Sequence, residues 1–104
     1  MTAYVIAEVK VSDPQQYESY KALSPGAITS AGGRFIVRGG AVEVLEGNWK
    51  PGRVVVLEFE SMAAARAFYD STLYLAAREA RAGATELFNM ICVEGVPTEG
   101  TQVS

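Results

Sequence analysis

Residues 32–59 read GGRFIVRGGAVEVLEGNWKPGRVVVLEF, and this stretch decides the fold. It contains two runs rich in β-branched and aromatic residues, separated by glycines and by a Gly/Pro-rich turn. The later run, 53–60, holds consecutive apolar residues, which is typical of a central strand covered on both faces. Arg34, Arg38 and Glu58 place charge inside these runs. The stretch therefore predicts a sheet whose strands carry charged side chains as well as core residues.

Further strands are predicted on either side of this stretch. Residues 4–11 alternate between a wholly apolar face and a mixed one, and 86–94 alternate in a similar way. The strand at 34–38 is expected to continue through a bulge or a sharp bend at Gly39-Gly40, because 41–46 are again β-prone. One bulge reverses which face a side chain occupies, so the sequence alone leaves the faces of the charged residues open.

The first helix begins with a strong start signal. Asp13 suits the N-cap, and Pro14 suits the first helical position. Pro25 lacks an amide and its ring clashes with the preceding turn, so it is expected to break or kink the helix. The sequence therefore predicts two short helices, at 14–22 and 25–31.

The order of elements predicts the architecture. A second helical region begins after Ser61, is interrupted at 70–72 and continues over 73–81. The resulting order, βαββαβ, predicts an α+β ferredoxin-like fold, in which a four-stranded antiparallel sheet carries the helices on one face. Residues 1–95 are expected to form a single domain, followed by a C-terminal tail at 96–104.

The predicted sheet has more apolar surface than its own helices cover. Three of its strands are apolar on both faces, and 49% of the 104 residues are hydrophobic. A second copy of the sheet, laid face to face, would shield the uncovered side. The chain is therefore predicted to be its own partner, in a homodimeric α+β barrel.

Composition excludes several classes of function. The net charge of −3 and the lack of a basic stripe argue against nucleic acid, and no run is long enough to span a bilayer. The single cysteine, Cys92, is expected to be buried and inert, and it favours a cytoplasmic location. The chain has no histidine, so the commonest ligand of zinc and haem is missing. Neither a metal nor a cofactor is predicted.

The motifs GGRF, VRGG, EG-x-W-x-P, EF-x-S and FYDS-x-x-Y, taken together, resemble the family called domain of unknown function 1330. The resemblance runs from about residue 4 to residue 95. That family belongs to the dimeric α+β-barrel superfamily, which includes cofactor-independent monooxygenases, small lactone isomerases and haem-dependent members. Membership implies a pocket between sheet and helices, and the missing histidine disfavours the haem branch.

Two charged residues are the candidate catalytic groups. Arg38, with Arg34 beside it, could hold the carboxylate or enolate of a small substrate, and Glu58 could act as a general base. The alternative is structural, because a strand arginine can form an ion pair with Glu58 or Glu8. Both alternatives stay open at the level of sequence.

Aromatic residues complete the predicted ligand site. Tyr17, Tyr69 and Tyr74 place phenols on the helices, and Trp49 lies in the turn before strand three. A phenol that reaches a cavity could bind a carbonyl oxygen, although tyrosines at helical spacing also serve as core residues. Trp49 could instead pack on the sheet edge or on a second copy.

Two functions fit these observations. The first is a homodimer that binds a small carboxylated or phenolic metabolite, with isomerisation or oxygenation without a cofactor as the chemistry its residues allow. The second is a non-catalytic module, in which the charges set strand register and dimer pairing. A cavity reached by Arg38 or Glu58 would favour the first function.

Overall fold

A computed structural model of the protein describes residues 1–97, so most of the predicted tail at 96–104 lies outside the described residues. The elements are β1 (Ala3–Val11), α1 (Pro14–Ser30), β2 (Arg34–Arg38), β3 (Arg53–Phe59), α2 (Met62–Asp70), α3 (Thr72–Ala80) and β4 (Thr85–Glu94). The strands form one antiparallel sheet in the order β2-β3-β1-β4. This is the predicted ferredoxin-like arrangement, in which β3 and β1 are central.

One face of the sheet carries the core. In β1, the side chains of Ala3, Val5, Ala7 and Val9 are all buried against the helices. The register places Phe59 and Leu57 of β3 opposite Ala3 and Val5, which extends this apolar face across the sheet. Tyr4, Ile6, Glu8 and Lys10 point to the opposite, helix-free side, which we call the open face.

Aromatic rings fill the space between the helices and the covered face. Phe59, Phe68 and Tyr74 are among the largest fully buried side chains. The ring centroids of Phe68 and Tyr74 are 4.3 Å apart, and those of Phe59 and Phe68 are 5.1 Å apart. Such offset ring pairs add about 0.5–1.5 kcal/mol each beyond the burial of their area. The centre of the core is therefore held by α2, α3 and β3 together.

The expected break of the first helix at Pro25 is wrong. Helix α1 runs without interruption from Pro14 to Ser30, with Pro25 inside it. Its buried face continues on both sides of the proline, since Tyr20 and Ser24 precede it and Ala27 and Ile28 follow it. Packing of this continuous face offsets the backbone hydrogen bond that proline removes. The predicted second interruption is confirmed, because Ser71 ends α2 and caps α3 by accepting a hydrogen bond from Tyr74 N at 3.1 Å.

The bulge of the second strand lies earlier than predicted. The register of β2 against β3 shifts between Phe35 and Val37, so Ile36 is the extra residue. The prediction that 41–46 resume a strand is also wrong, because these residues form no strand with any part of residues 1–97 and are exposed. They belong to an irregular connection between β2, which is an edge strand, and β3.

No helix within residues 1–97 is both long enough and apolar enough to cross a membrane.

Gly52 is required by a close approach of two strands. Its amide donates to Glu8 Oε2 at 3.0 Å, and a Cβ at this position would collide with the Val9 carbonyl oxygen. Gly26, by contrast, is exposed inside α1, and a Cβ added there would have no neighbouring atom within 4 Å.

We expect Gly52→Ala to lower the free energy of unfolding by about 1–3 kcal/mol, because backbone must move to admit the methyl group. Gly26→Ala should raise it by about 0.5–1 kcal/mol, since alanine costs less entropy than glycine in a helix. Urea unfolding followed by circular dichroism measures both. Equal stability of Gly52→Ala and the wild type would contradict the close approach.

Candidate functional site

The bulge at Ile36 sends the two β2 arginines to opposite faces of the sheet. Arg34 pairs with Glu58 in the register and lies on the open face, whereas Arg38 pairs with Val55 and lies on the helix side. The two residues predicted to be catalytic, Arg38 and Glu58, are therefore separated by the sheet. The structure does not bring them into one cavity.

Arg34 and Glu58 form an ion pair on the open face. Arg34 Nε donates to Glu58 Oε1 at 2.7 Å, and this hydrogen bond is the main reason that the pKa of Arg34 is raised. The side chains are 70% and 26% exposed, respectively. The pair is thus the structural alternative that the sequence leaves open, and solvent screening limits its contribution to stability.

Arg38 reaches a small cavity between α1 and the sheet, which we call the inner cavity. Its volume is about 30 Å³, which suffices for a water molecule or two. Tyr17 and Lys21 of α1 line it together with Arg38 and Arg53. Tyr17 and Arg38 therefore line the same cavity, which is too small for a whole metabolite.

The phenols near the inner cavity are held in their neutral form. Burial raises the pKa of Tyr17, against an opposing effect of the Arg53 charge. Burial also raises the pKa of Tyr20 well above its ordinary range, and the neighbouring Tyr74 hydroxyl adds to this shift. The hydroxyls of Tyr20 and Tyr74 share a buried hydrogen bond of 2.7 Å, in which either can donate. Tyr74 is fully buried and lines neither cavity, so its position is that of a core residue.

A larger space lies between α2 and the edge strand β4, which we call the groove. Its volume is about 540 Å³, within the range of small-molecule sites. Its apolar lining comes from β4 and from α2, and the polar lining residues are Arg66, Tyr69, Arg81 and Asn89. Tyr69, which the sequence predicts as a ligand contact, thus lies in a different space from Tyr17.

Arg81 is the functional candidate that the sequence reasoning missed. Its guanidinium carbon lies 3.6 Å from the centroid of the Phe88 ring and 5.4 Å from that of Tyr20. Its Nε is buried and has no hydrogen-bond partner among the described residues. None of the carboxylates in residues 1–97 lies within 4.0 Å of it, whereas Arg66 in the same groove is paired with Asp70 at 2.8 Å. An arginine at the end of a helix gives no sequence signal beyond complementing the helix dipole.

Two further predictions concern the edges of the sheet. Trp49 is 65% exposed and donates to Glu8 Oε2 at 3.4 Å, so it packs on the open-face side and lines neither cavity. The expectation that Cys92 is buried is wrong, because it is exposed on the edge strand β4. Its thiol donates to Met62 Sδ at 3.4 Å in the groove, and partial burial raises its pKa.

The chain belongs to the family described as a domain of unknown function (DUF1330), whose model matches residues 2–96. This confirms the resemblance seen in the sequence motifs. No curated protein matches the chain.

Solved structures with the same fold come from several bacteria. A protein of unknown function from Rhodopseudomonas palustris has a TM-score of 0.72 at 19% identity, covering 93% of this chain and 84% of that one. A dimeric ferredoxin-like protein of unknown function from Jannaschia has a TM-score of 0.67 at 12% identity, covering 91% and 100%. SnoaB from Streptomyces nogalater, a cofactor-independent oxygenase, has a TM-score of 0.62 at 14% identity, covering 96% and 98%. At these identities the likeness establishes the fold alone.

The hydrogen bond between the buried hydroxyls of Tyr20 and Tyr74 can be tested by substitution. We expect Tyr20→Phe to lower the free energy of unfolding by about 1–3 kcal/mol, because the Tyr74 hydroxyl loses its partner in the core. The double variant Tyr20→Phe/Tyr74→Phe should lose far less than the sum of the two single variants, since both polar groups are then gone. Chemical denaturation of the four proteins measures this coupling, and additive losses would show that the hydroxyls do not depend on each other.

Proposed function

We propose that this protein binds a small carboxylated, largely apolar or aromatic molecule in the groove between α2 and β4, and that it does so as a homodimer. The observation that carries the proposal is Arg81, whose positive charge faces an apolar space without a carboxylate partner in residues 1–97. We also propose a cytoplasmic location, because a chain with a single cysteine forms no internal disulfide and such chains are typical of reducing compartments.

Arg81 is prepared for an anion by its surroundings. Stacking on Phe88 fixes the plane of the guanidinium and removes one side of it from water. A buried charged donor without a partner is costly, so a ligand that supplies an acceptor gains more here than at the surface. A carboxylate in the groove would accept hydrogen bonds from the terminal nitrogens of Arg81. The apolar lining then accommodates the rest of the molecule.

The groove supports binding better than proton abstraction. Among residues 1–97, its lining includes neither Asp nor Glu, and the candidate base Glu58 lies on the other face of the sheet. The groove lining also includes Tyr69 and Cys92, whose phenol and thiol are weak acids. Burial raises the pKa of the Cys92 thiol, which favours its neutral form. A base would therefore have to come from the ligand itself or from a partner.

Cofactor-independent oxygenation is the second candidate function. The fold likeness to SnoaB and the apolar lining of the groove support it. Oxygen consumption in the presence of hydroxylated aromatic acids separates the two functions, because a binding module consumes none.

The binding proposal is tested with benzoate and its uncharged counterpart, benzyl alcohol. We expect the wild type to prefer benzoate and Arg81→Gln to bind it about tenfold to a hundredfold more weakly, since a hydrogen bond to a charged group contributes about 1.5–3 kcal/mol. Binding of benzyl alcohol should change little. Isothermal titration calorimetry or ligand-observed NMR measures both.

Arg66→Gln is the matched control, because Arg66 lines the same groove but is already neutralised by Asp70. It should weaken benzoate about twofold at most, in line with the small worth of exposed ion pairs. Equal losses in the two variants, or no binding of benzoate by the wild type, would overturn the role of Arg81.

The homodimer is supported by the open face of the sheet. Val56 of β3, Ile6 of β1 and Ile91 of β4 align across its centre, and Ile91 is 58% exposed. Val37 and Val93 extend this apolar surface towards the two edges, and they are 40% and 42% exposed. A surface of this kind on a small domain marks an interface, and a second copy of the same sheet is complementary to it.

We expect Val56→Lys to convert a dimer into a monomer at micromolar concentration, because two lysines would meet at the centre of a two-fold interface. Leu73→Lys replaces an exposed apolar residue of α3 and should leave the assembly unchanged. Sedimentation velocity measures both, with circular dichroism as the check on folding. A wild type that is monomeric and folded under these conditions would refute the dimer.

A further inference from the structure

The motif VRGG, at residues 37–40, plays no part in the groove. Its Arg38 lines the inner cavity instead, across the sheet from the Arg34–Glu58 pair. The other charged residues that line this cavity are Lys21 and Arg53, and within the described part of the chain its lining contains neither Asp nor Glu. All the charged residues that line the inner cavity within residues 1–97 are thus positively charged.

Gly39 of the motif determines where Arg53 lies. The glycine has φ of 70°, and a Cβ at this position would stand 2.5 Å from Arg53 Nη1. Only glycine therefore lets the guanidinium of Arg53 lie against the backbone at the end of β2. The amide of Gly39 is itself used, since it donates to the Val54 carbonyl oxygen at 2.8 Å.

Arg38 is positioned by the bulge and by a ring. The extra residue Ile36 turns Arg38 towards the helix side, where its guanidinium carbon lies 4.1 Å from the centroid of the Phe35 ring. Neither Arg38 nor Arg53 has a carboxylate within 4.0 Å in the part of the chain that the structure describes, whereas Lys21 is paired with Glu18 at 2.8 Å. Two guanidinium groups without acidic partners in residues 1–97 therefore line one small space, with Arg38 at its exposed side.

We propose that the inner cavity is a second binding site, which takes the carboxylate group of a small acid between Arg38 and Arg53, with the Tyr17 hydroxyl as a further donor. Guanidinium groups suit a carboxylate because their paired donors match its two oxygens. A volume of about 30 Å³ admits a carboxylate in place of water, while the rest of a larger acid would have to remain outside. Tyr17 stays protonated because burial raises its pKa, so its hydroxyl is available to donate.

The site goes beyond the proposed function, since it uses none of the groove's charged residues. The two spaces share only apolar lining, namely Val5, Phe88 and Met90. Arg81 contacts the Phe88 ring from the groove, so the two arginine sites are separated by an aromatic wall.

Formate and acetate are the probes for this site, titrated into the full chain at constant ionic strength against chloride. We expect both anions to shift the backbone amide NMR signals of residues 17, 39 and 53, with little effect around residue 81. Arg53→Gln and Arg38→Gln should each weaken binding about tenfold or more. Arg53→Lys keeps the charge but loses the paired donors, and it should lie between wild type and Arg53→Gln.

Arg81→Gln is the reciprocal control, because it should abolish the preference of the groove for benzoate and leave the response to formate intact. The opposite pattern is expected for Arg53→Gln. If Arg53→Gln does not fold, Arg38→Gln and Arg53→Lys decide the matter. Amide shifts that are absent, that spread over all surface arginines, or that persist unchanged in the Arg38 and Arg53 variants would overturn the second site, whatever the result at Arg81.

Discussion

The burial of one sheet face against the helices is the constraint on which the rest of the structure depends. Because side chains alternate along a strand, committing Val5, Ala7 and Val9 to the core commits their neighbours to the open face. The antiparallel register then carries this division from β1 to β3 and β4. The sheet thus has one face that the helices of this chain cover and one face that they do not.

One irregularity in the sheet, the bulge of β2, controls where charge goes. Without the bulge at Ile36, Arg34 and Arg38 would share a face, as residues four apart in a strand do. With it, Arg34 meets Glu58 on the open face, and Arg38 turns towards Arg53 on the helix side. Glu58 therefore pairs with Arg34 on the open face and does not neutralise Arg38. Arg38 thus brings an unpaired positive charge to the inner cavity, as judged over residues 1–97. Strand register and the candidate binding chemistry have the same cause.

Much of the fold is predictable because it follows from local patterns. The alternation of β1 and β4, the cap at Asp13, the interruption at 70–72 and the apolar run of β3 all correspond to features of the structure. Pro25 misleads because a proline removes one hydrogen bond, and the packing of a 17-residue helix outweighs that loss. The bulge carries no glycine and so leaves no mark in the sequence. Arg81 escapes sequence reasoning since its surroundings arise only when the end of α3 meets Phe88 of β4.

The two faces divide the candidate functions between them. Glu58 is held by Arg34 beside the surface that a second copy would cover, so its place fits register and assembly better than catalysis. Arg81 and Arg53 lie on the helix side, on either side of an aromatic wall that includes Tyr20 and Phe88. Burial keeps the phenol of Tyr20 neutral, so this wall separates two positive sites without adding a negative charge that would neutralise either. Under the two binding proposals, an acid would meet an arginine in either space. Among residues 1–97 the lining of each space holds arginine but neither Asp nor Glu, so the proposals assign to these side chains the binding of an anion.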